Sequence, residues 1–210
     1  MTVPGLMYVH RRDEDPFGVT ALSAVMTPEM VLAAYAEGLF PWEGRAPIPW
    51  CSLPRRCVMD PAAFTWRRSL RKSLRKHQWA YRIDGDFEAV MRACAAPRAY
   101  AEETWITEEM VSCYRTLFES GSARCIEVLD AGRLVGGLYG LTIGRAFFGE
   151  SMFHRVTDAS KAAFGCLCSI TQEEGNQLID CQAVIPHLLS LGAVDVSREE
   201  YLQQLADALR

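Results

Sequence analysis

The sequence predicts an α+β protein: a small N-terminal domain, then a larger one built on a central, mostly antiparallel sheet. Three observations lead there. The 210 residues are half apolar and 23% charged, enough to bury a full core. Apolar residues recur with helical spacing up to Gly121 and again after Ser160, whereas residues 124–148 follow the period of strands. A segment with four prolines, residues 40–56, separates the first helix from the rest. It places a boundary at residue 55, dividing the chain into 1–55 and 56–210.

After an irregular start, Thr27-Pro28-Glu29 supplies an N-cap, a proline at the first helical position and an early acid, and Gly38 stops the helix. Residues 40–56 read as irregular and aromatic-walled. From Phe64 to Lys76 the spacing predicts an amphipathic helix, with Trp66, Leu70 and Leu74 on one face. Arg68, Arg71, Lys72, Arg75 and Lys76 gather on the other. A strand follows at 79–83, then a helix capped by Asp86 with Phe87, Val90, Met91 and Cys94 inward. After a loop to Glu103, Thr107 opens a helix that Gly121 ends. Strands at 125–129, 134–143 and 146–148, joined by turns at Asp130-Ala131-Gly132 and Gly144-Arg145, form an antiparallel meander. A helix over 160–174 stops at Gly175, ahead of an apolar strand at 178–184. Ser197 and Glu200 make a capping box for a closing helix with Tyr201, Leu202, Leu205 and Leu209 inside. Helix, meander, helix, strand, helix is the order of a GNAT-like acyltransferase domain.

Composition excludes several classes. No run approaches the roughly 20 apolar residues of a membrane span, and Arg11 and Arg12 are followed by acids instead of an apolar leader, so a cytoplasmic protein is expected. The eight cysteines contain no CxxC pair and read as reduced small hydrophobes. Four scattered histidines give no ligand spacing, so no metal is expected. A net charge of −4 argues against a general nucleic-acid coat and against DNA binding, while leaving room for a local basic patch. There is no GxSxG motif and no Arg/Gln-x-x-Gly-x-Gly pyrophosphate loop, which turns the reading away from CoA; no cofactor is expected.

Two segments can carry chemistry. In Phe147-Phe148-Gly149-Glu150-Ser151-Met152-Phe153 one carboxylate sits among aromatics, where desolvation forces a partner or a raised pKa. Glu150 also offers an anchor for an ammonium group. In Asp180-Cys181-Gln182, residues two apart on a strand share a face, so Asp180 is expected to accept from the Gln182 amide and leave its carbonyl for an incoming amine. The cationic helix face is either solvated or a stripe that tracks phosphates. Trp42, Trp50 and Trp105 either pack or stack on a base.

Seven motifs, in order, resemble the leucyl/phenylalanyl-tRNA–protein transferase family. They are Tyr35-Ala36-Glu37-Gly38-Leu39-Phe40-Pro41-Trp42, Pro47-Ile48-Pro49-Trp50, Thr104-Trp105-Ile106, Val135-Gly136-Gly137-Leu138-Tyr139-Gly140, Gly149-Glu150-Ser151-Met152-Phe153, Leu178-Ile179-Asp180-Cys181-Gln182 and Ser190-Leu191-Gly192-Ala193. The resemblance implies transfer of Leu or Phe, with Met a further candidate, from aminoacyl-tRNA to an N-terminal Arg or Lys, tagging proteins for degradation. It implies catalytic roles for Asp180, Gln182 and Glu150. Trp42 and Trp105 match tryptophans near the tRNA 3′ adenosine and the acceptor, and Leu138 and Phe147 match the apolar aminoacyl pocket, to which Ser151 and Phe153 are assigned as well. Arg68, Arg71, Lys72, Arg75 and Lys76 fall on the tRNA-binding helix. The family's Gly-Gly-Asp-Leu is Ser23-Ala24-Val25-Met26 here, and its Trp-Trp-Ser-Pro is Trp50-Cys51-Ser52-Leu53. A small-molecule amine as acceptor and a non-catalytic tRNA-binding module therefore stand as alternatives.

Overall fold

The computed structural model describes residues 2–9, 15–97 and 104–210. Arg11, Arg12 and most of the loop expected before Thr104 lie outside the described residues. The described elements run β1 (Met7–Tyr8), β2 (Val19–Ser23), α1 (Pro28–Ala36), β3 (Phe40–Pro41), β4 (Ile48–Cys51), β5 (Arg55–Met59), α2 (Arg68–His77), β6 (Ala80–Ile83), α3 (Phe87–Ala95) and α4 (Glu108–Glu119). They continue with β7 (Ala123–Asp130), β8 (Arg133–Ile143), β9 (Ala146–His154), α5 (Ala159–Glu173), β10 (Leu178–Gln182), α6 (Pro186–Leu189), β11 (Val194–Ser197) and α7 (Arg198–Ala208).

The helices begin where their caps dictate. Thr27 accepts from the Met30 amide, Asp86 from Ala89 and Thr107 from Met110, each satisfying a donor the first turn leaves open. The Ser197–Glu200 capping box is complete. Helix α2 starts at Arg68, four residues later than the periodicity predicts. Asp60 and Pro61 set up a 3-10 turn, Phe64 is extended, and Arg67 gives no side-chain cap. Trp66 therefore packs from an extended segment, edge-on to Phe64 at 5.1 Å. In α7 Leu202 is 38% exposed rather than inward, while Tyr201, Leu205 and Ala208 are buried.

The expected irregular stretches contain strands. β1, β2, β4 and β3 form a four-stranded sheet in that order, all antiparallel. Trp50 lies at 0% exposure in it, with its indole N–H donating to Ser23 Oγ at 2.9 Å. The second sheet has seven strands in the order β11-β5-β10-β9-β8-β7-β6. The meander β7-β8-β9 is antiparallel as expected, and β9 runs on to His154. One pair departs from the antiparallel rule: β10 lies parallel to β9, because α5 carries the chain back across the sheet between them.

Adjacent residues of each strand go to opposite faces of this sheet. Phe148, Leu178 and Val58 join a cluster with α1, α3, α4, α7 and the small sheet, while Phe147, Ile179 and Cys57 join another under α5 and α6. At roughly 1.5–3 kcal/mol for each large apolar side chain removed from water, these two layers hold the sheet between them.

Candidate active site

Two neighbouring irregularities open the sheet at one level. Strands β9 and β10 pair only as far as Phe148↔Asp180. Beyond it, β9 has a bulge that leaves Glu150 as the extra residue, since Tyr139 pairs with Ser151 but Gly140 with Gly149. β10 breaks register against β5 between Asp180 and Gln182, and Gln182 takes a left-handed φ of 60°. The strands diverge there into a cavity of about 260 Å³.

Glu150 and Gln182 meet at this cavity. Its apolar wall comes from Leu138 and Phe147 of the sheet, Phe164 and Leu167 of α5, and Ile185 and Leu188 around α6. Trp105, Ser151 and Cys181 complete much of the lining.

The Glu150 carboxylate is buried, and both Tyr35 and Tyr114 donate their hydroxyls to its Oε1, the latter at 2.8 Å. Among the described residues no donor reaches Oε2. Burial pushes the Glu150 carboxyl up to about 7, a rise that the two hydroxyls and Arg56 oppose and Asp180 reinforces. Burial and the facing Glu150 hold both tyrosines well above their ordinary value, so they stay donors. Gln182 Nε2 in turn donates to Tyr35 Oη at 3.3 Å. A chain Gln182, Tyr35, Glu150 therefore runs along the floor, leaving the Gln182 carbonyl and one Glu150 oxygen without a partner among the described residues.

Asp180 corrects the expected geometry. At 0% exposure it lies behind the cavity rather than in it. It accepts from the backbone N–H of Gln182, at 2.9 Å, and not from the side-chain amide. The reason is the bulge, which turns the Gln182 side chain away from the face that Asp180 occupies. Arg56 and Tyr201 hold the Asp180 carboxylate from the far side.

Of the other expected residues, the cavity gathers Trp105, Leu138, Phe147 and Ser151. Phe153 is instead a core residue beneath Arg155, whose guanidinium lies 5.6 Å from its ring. Trp42 also lies off the cavity wall, 39% exposed and edge-on to Phe17 at 5.0 Å. On α2 the five cations are exposed, and Arg68, Arg71, Lys72 and Arg75 line one groove with Trp66, from which Lys76 is absent. None of the five forms an ion pair among the described residues.

Sequence reasoning passed over Arg56, Tyr114 and the α5–α6 wall. Arg56, the second of two arginines and directly ahead of the apolar run Cys57-Val58-Met59, was the available clue to a buried charge. Among the described residues no cluster of His, Cys, Asp and Glu could hold a metal ion, and no helix is long and apolar enough to cross a membrane.

Comparison with known proteins gives a consistent set. A family model described as leucyl/phenylalanyl-tRNA protein transferase matches residues 58–206, and one for the N-terminal domain of that transferase matches 25–54. The leucyl/phenylalanyl-tRNA–protein transferase of Cellvibrio japonicus (strain Ueda107) is 48% identical over 193 residues, 91% of this chain and 82% of that protein. That of Legionella pneumophila (strain Lens) is 45% identical, covering 93% and 88%. Solved structures are more distant. L-PGS from Bacillus licheniformis aligns over 76% of this chain and 51% of its own at 11% identity and a TM-score of 0.43. A GCN5-related N-acetyltransferase from Sphaerobacter thermophilus covers 84% and 56% at 13% identity and a TM-score of 0.41.

Proposed function

We infer the reaction from the family to which the chain belongs, the leucyl/phenylalanyl-tRNA–protein transferases: it is an aminoacyltransferase that carries leucine or phenylalanine from tRNA to protein. The acceptor in this reading is the α-amine of a polypeptide that begins with Arg or Lys. The observation that carries the assignment to this cavity is the meeting of an apolar wall with Glu150 and Gln182 where β9 and β10 part.

The ester that joins an amino acid to tRNA is already activated, so positioning supplies most of what is needed. Leu138, Phe147, Phe164 and Leu188 receive the apolar side chain. The free oxygen of Glu150 binds the incoming ammonium. An N-terminal amine titrates near 7.7–8.0, so a carboxyl at about 7 is well matched to take its proton. The Gln182 carbonyl accepts a hydrogen from the amine and aims its lone pair. Nitrogen attacks the ester carbonyl, the C–N bond forms, the C–O bond to the ribose breaks, and the ribose oxygen leaves with a proton. The α2 cations contact phosphates of the tRNA, and exposed Trp42 with Phe17 offers a stacking surface for a base. With charged tRNA as donor, the cytoplasm is the proposed location.

The test supplies leucyl-, phenylalanyl- and methionyl-tRNA with an Arg-initiated peptide, its N-acetylated form, or a mixture of small amines, and follows product mass. Peptide extended by Leu or Phe, and none from the acetylated form, is expected. Product in the small-amine arm alone, or in no arm, overturns the reading.

A further inference from the structure

The Asp180 carboxylate has no capacity left for a proton relay. Its Oδ1 accepts from Arg56 Nε at 2.8 Å and from the Gln182 amide at 2.9 Å. Its Oδ2 accepts from Arg56 Nη2 at 2.6 Å and from Tyr201 Oη at 2.8 Å. A carboxylate offers about four lone-pair sites, and all are taken by donors that fix its position. What it supports is a strained residue. Gln182 is left-handed, at φ 60°, a strained conformation for a non-glycine residue that persists only where the surroundings hold it. The Asp180 contact to its N–H is that hold.

Arg56 in turn keeps Asp180 in place. Its side chain is 1% exposed, and its guanidinium lies between the rings of Phe40 and Tyr201, 4.5 and 4.4 Å from their centroids. The planar fork supplies two parallel bonds that a lysine ammonium cannot reproduce. We infer that Arg56 is a positioning residue for the transfer reaction: through Asp180 it fixes the backbone of Gln182, and so aims the Gln182 amide into the cavity without touching substrate.

The kinetic readout rests on the transferase reading, and a second readout does not. Arg56→Lys in the full chain is compared with the unaltered chain for kcat and KM with phenylalanyl-tRNA and an Arg-initiated peptide. Amide hydrogen exchange is followed at Gln182 and along the rest of β10. A misplacement of about 1 Å costs roughly a hundredfold in rate, so kcat is expected to fall by between ten- and a hundredfold, with KM for the tRNA within about twofold. Exchange at Gln182 is expected to accelerate selectively. Unaltered kcat overturns the inference, as does exchange that rises evenly along the sheet. The paired variant Arg56→Met with Asp180→Leu removes both charges and leaves no buried ion unpaired, so it folds where a single deletion would not. It is expected to be folded and impaired in kcat, and a folded pair with full kcat overturns the inference too. Should the unaltered chain make no product, the exchange result still decides the role of Arg56.

Discussion

A carboxylate that is useful in chemistry is costly in folding, and Glu150 carries both consequences. Its carboxyl is raised to about 7 in the folded chain, from an ordinary 4.5, chiefly by burial. Between those values the folded chain holds a proton that the unfolded chain has released, so stability falls as pH rises across that window and the full cost stands above it. The shift corresponds to roughly 3 kcal/mol. Glu150→Gln, which still accepts from Tyr35 and Tyr114, is therefore expected to stabilise the chain at pH 8 by up to that order and hardly at all at pH 4.5, while depressing transfer. Melting curves at the two pH values check it, and equal stabilisation at both would show that charge burial is not the cause. Glu150 was half legible in the sequence: a lone acid among Phe147, Phe148, Met152 and Phe153 reads equally as a strand-end acid facing solvent, and only its register with the other motifs singled it out. Arg56 was not, because its partner is Asp180 and nothing local links residues so far apart.

At the scale of elements, α2 presents its cations and buries only Leu70. Reversal of Arg71 and Arg75 to Glu removes no ion pair among the described residues, so stability is expected to move by no more than about 0.5 kcal/mol. Affinity for charged tRNA is expected to fall at least about tenfold at low salt, and the dependence of binding on salt to become shallower, since fewer counterions are released. Filter binding at two salt concentrations measures both; unchanged affinity would mean that the groove of Trp66, Arg68, Arg71, Lys72 and Arg75 serves something else. The capped helices were the most readable elements because a cap is a local device: Thr27, Asp86, Thr107 and Ser197 each serve an amide within three residues. Strands β1 and β3, two residues each, carry no period to detect. The β10 bulge was hidden too, because Cys181 and Gln182 have no side-chain feature that announces a left-handed turn, and reading them as regular strand put the Gln182 side chain on the face of Asp180.

At the scale of the molecule, one apolar cluster runs from the small sheet through to the large one, joining Phe40, Ile48 and Trp50 to Val58, Tyr139 and Phe148. Trp50→Ala is expected to cost about 3–5 kcal/mol. Because the cluster is continuous, its loss is expected to lower a single shared transition, seen together by far-UV circular dichroism and tryptophan fluorescence, instead of releasing the small sheet alone. Two separated transitions would overturn that. The meander could be read from its turns, whereas the parallel pairing of β9 with β10 depends on how α5 crosses the sheet.

The parts of the site are scattered along nearly the whole chain. Tyr35 comes from α1, Arg56 from β5, Tyr114 from α4, Glu150 from β9, Gln182 from the end of β10 and Tyr201 from α7. A nascent polypeptide that has not yet reached Tyr201 lacks the hydroxyl that closes over Asp180. Because Tyr201 is made after Tyr35, Arg56, Tyr114, Glu150 and Gln182, the order of translation leaves Asp180 without this donor until α7 has been made and docks.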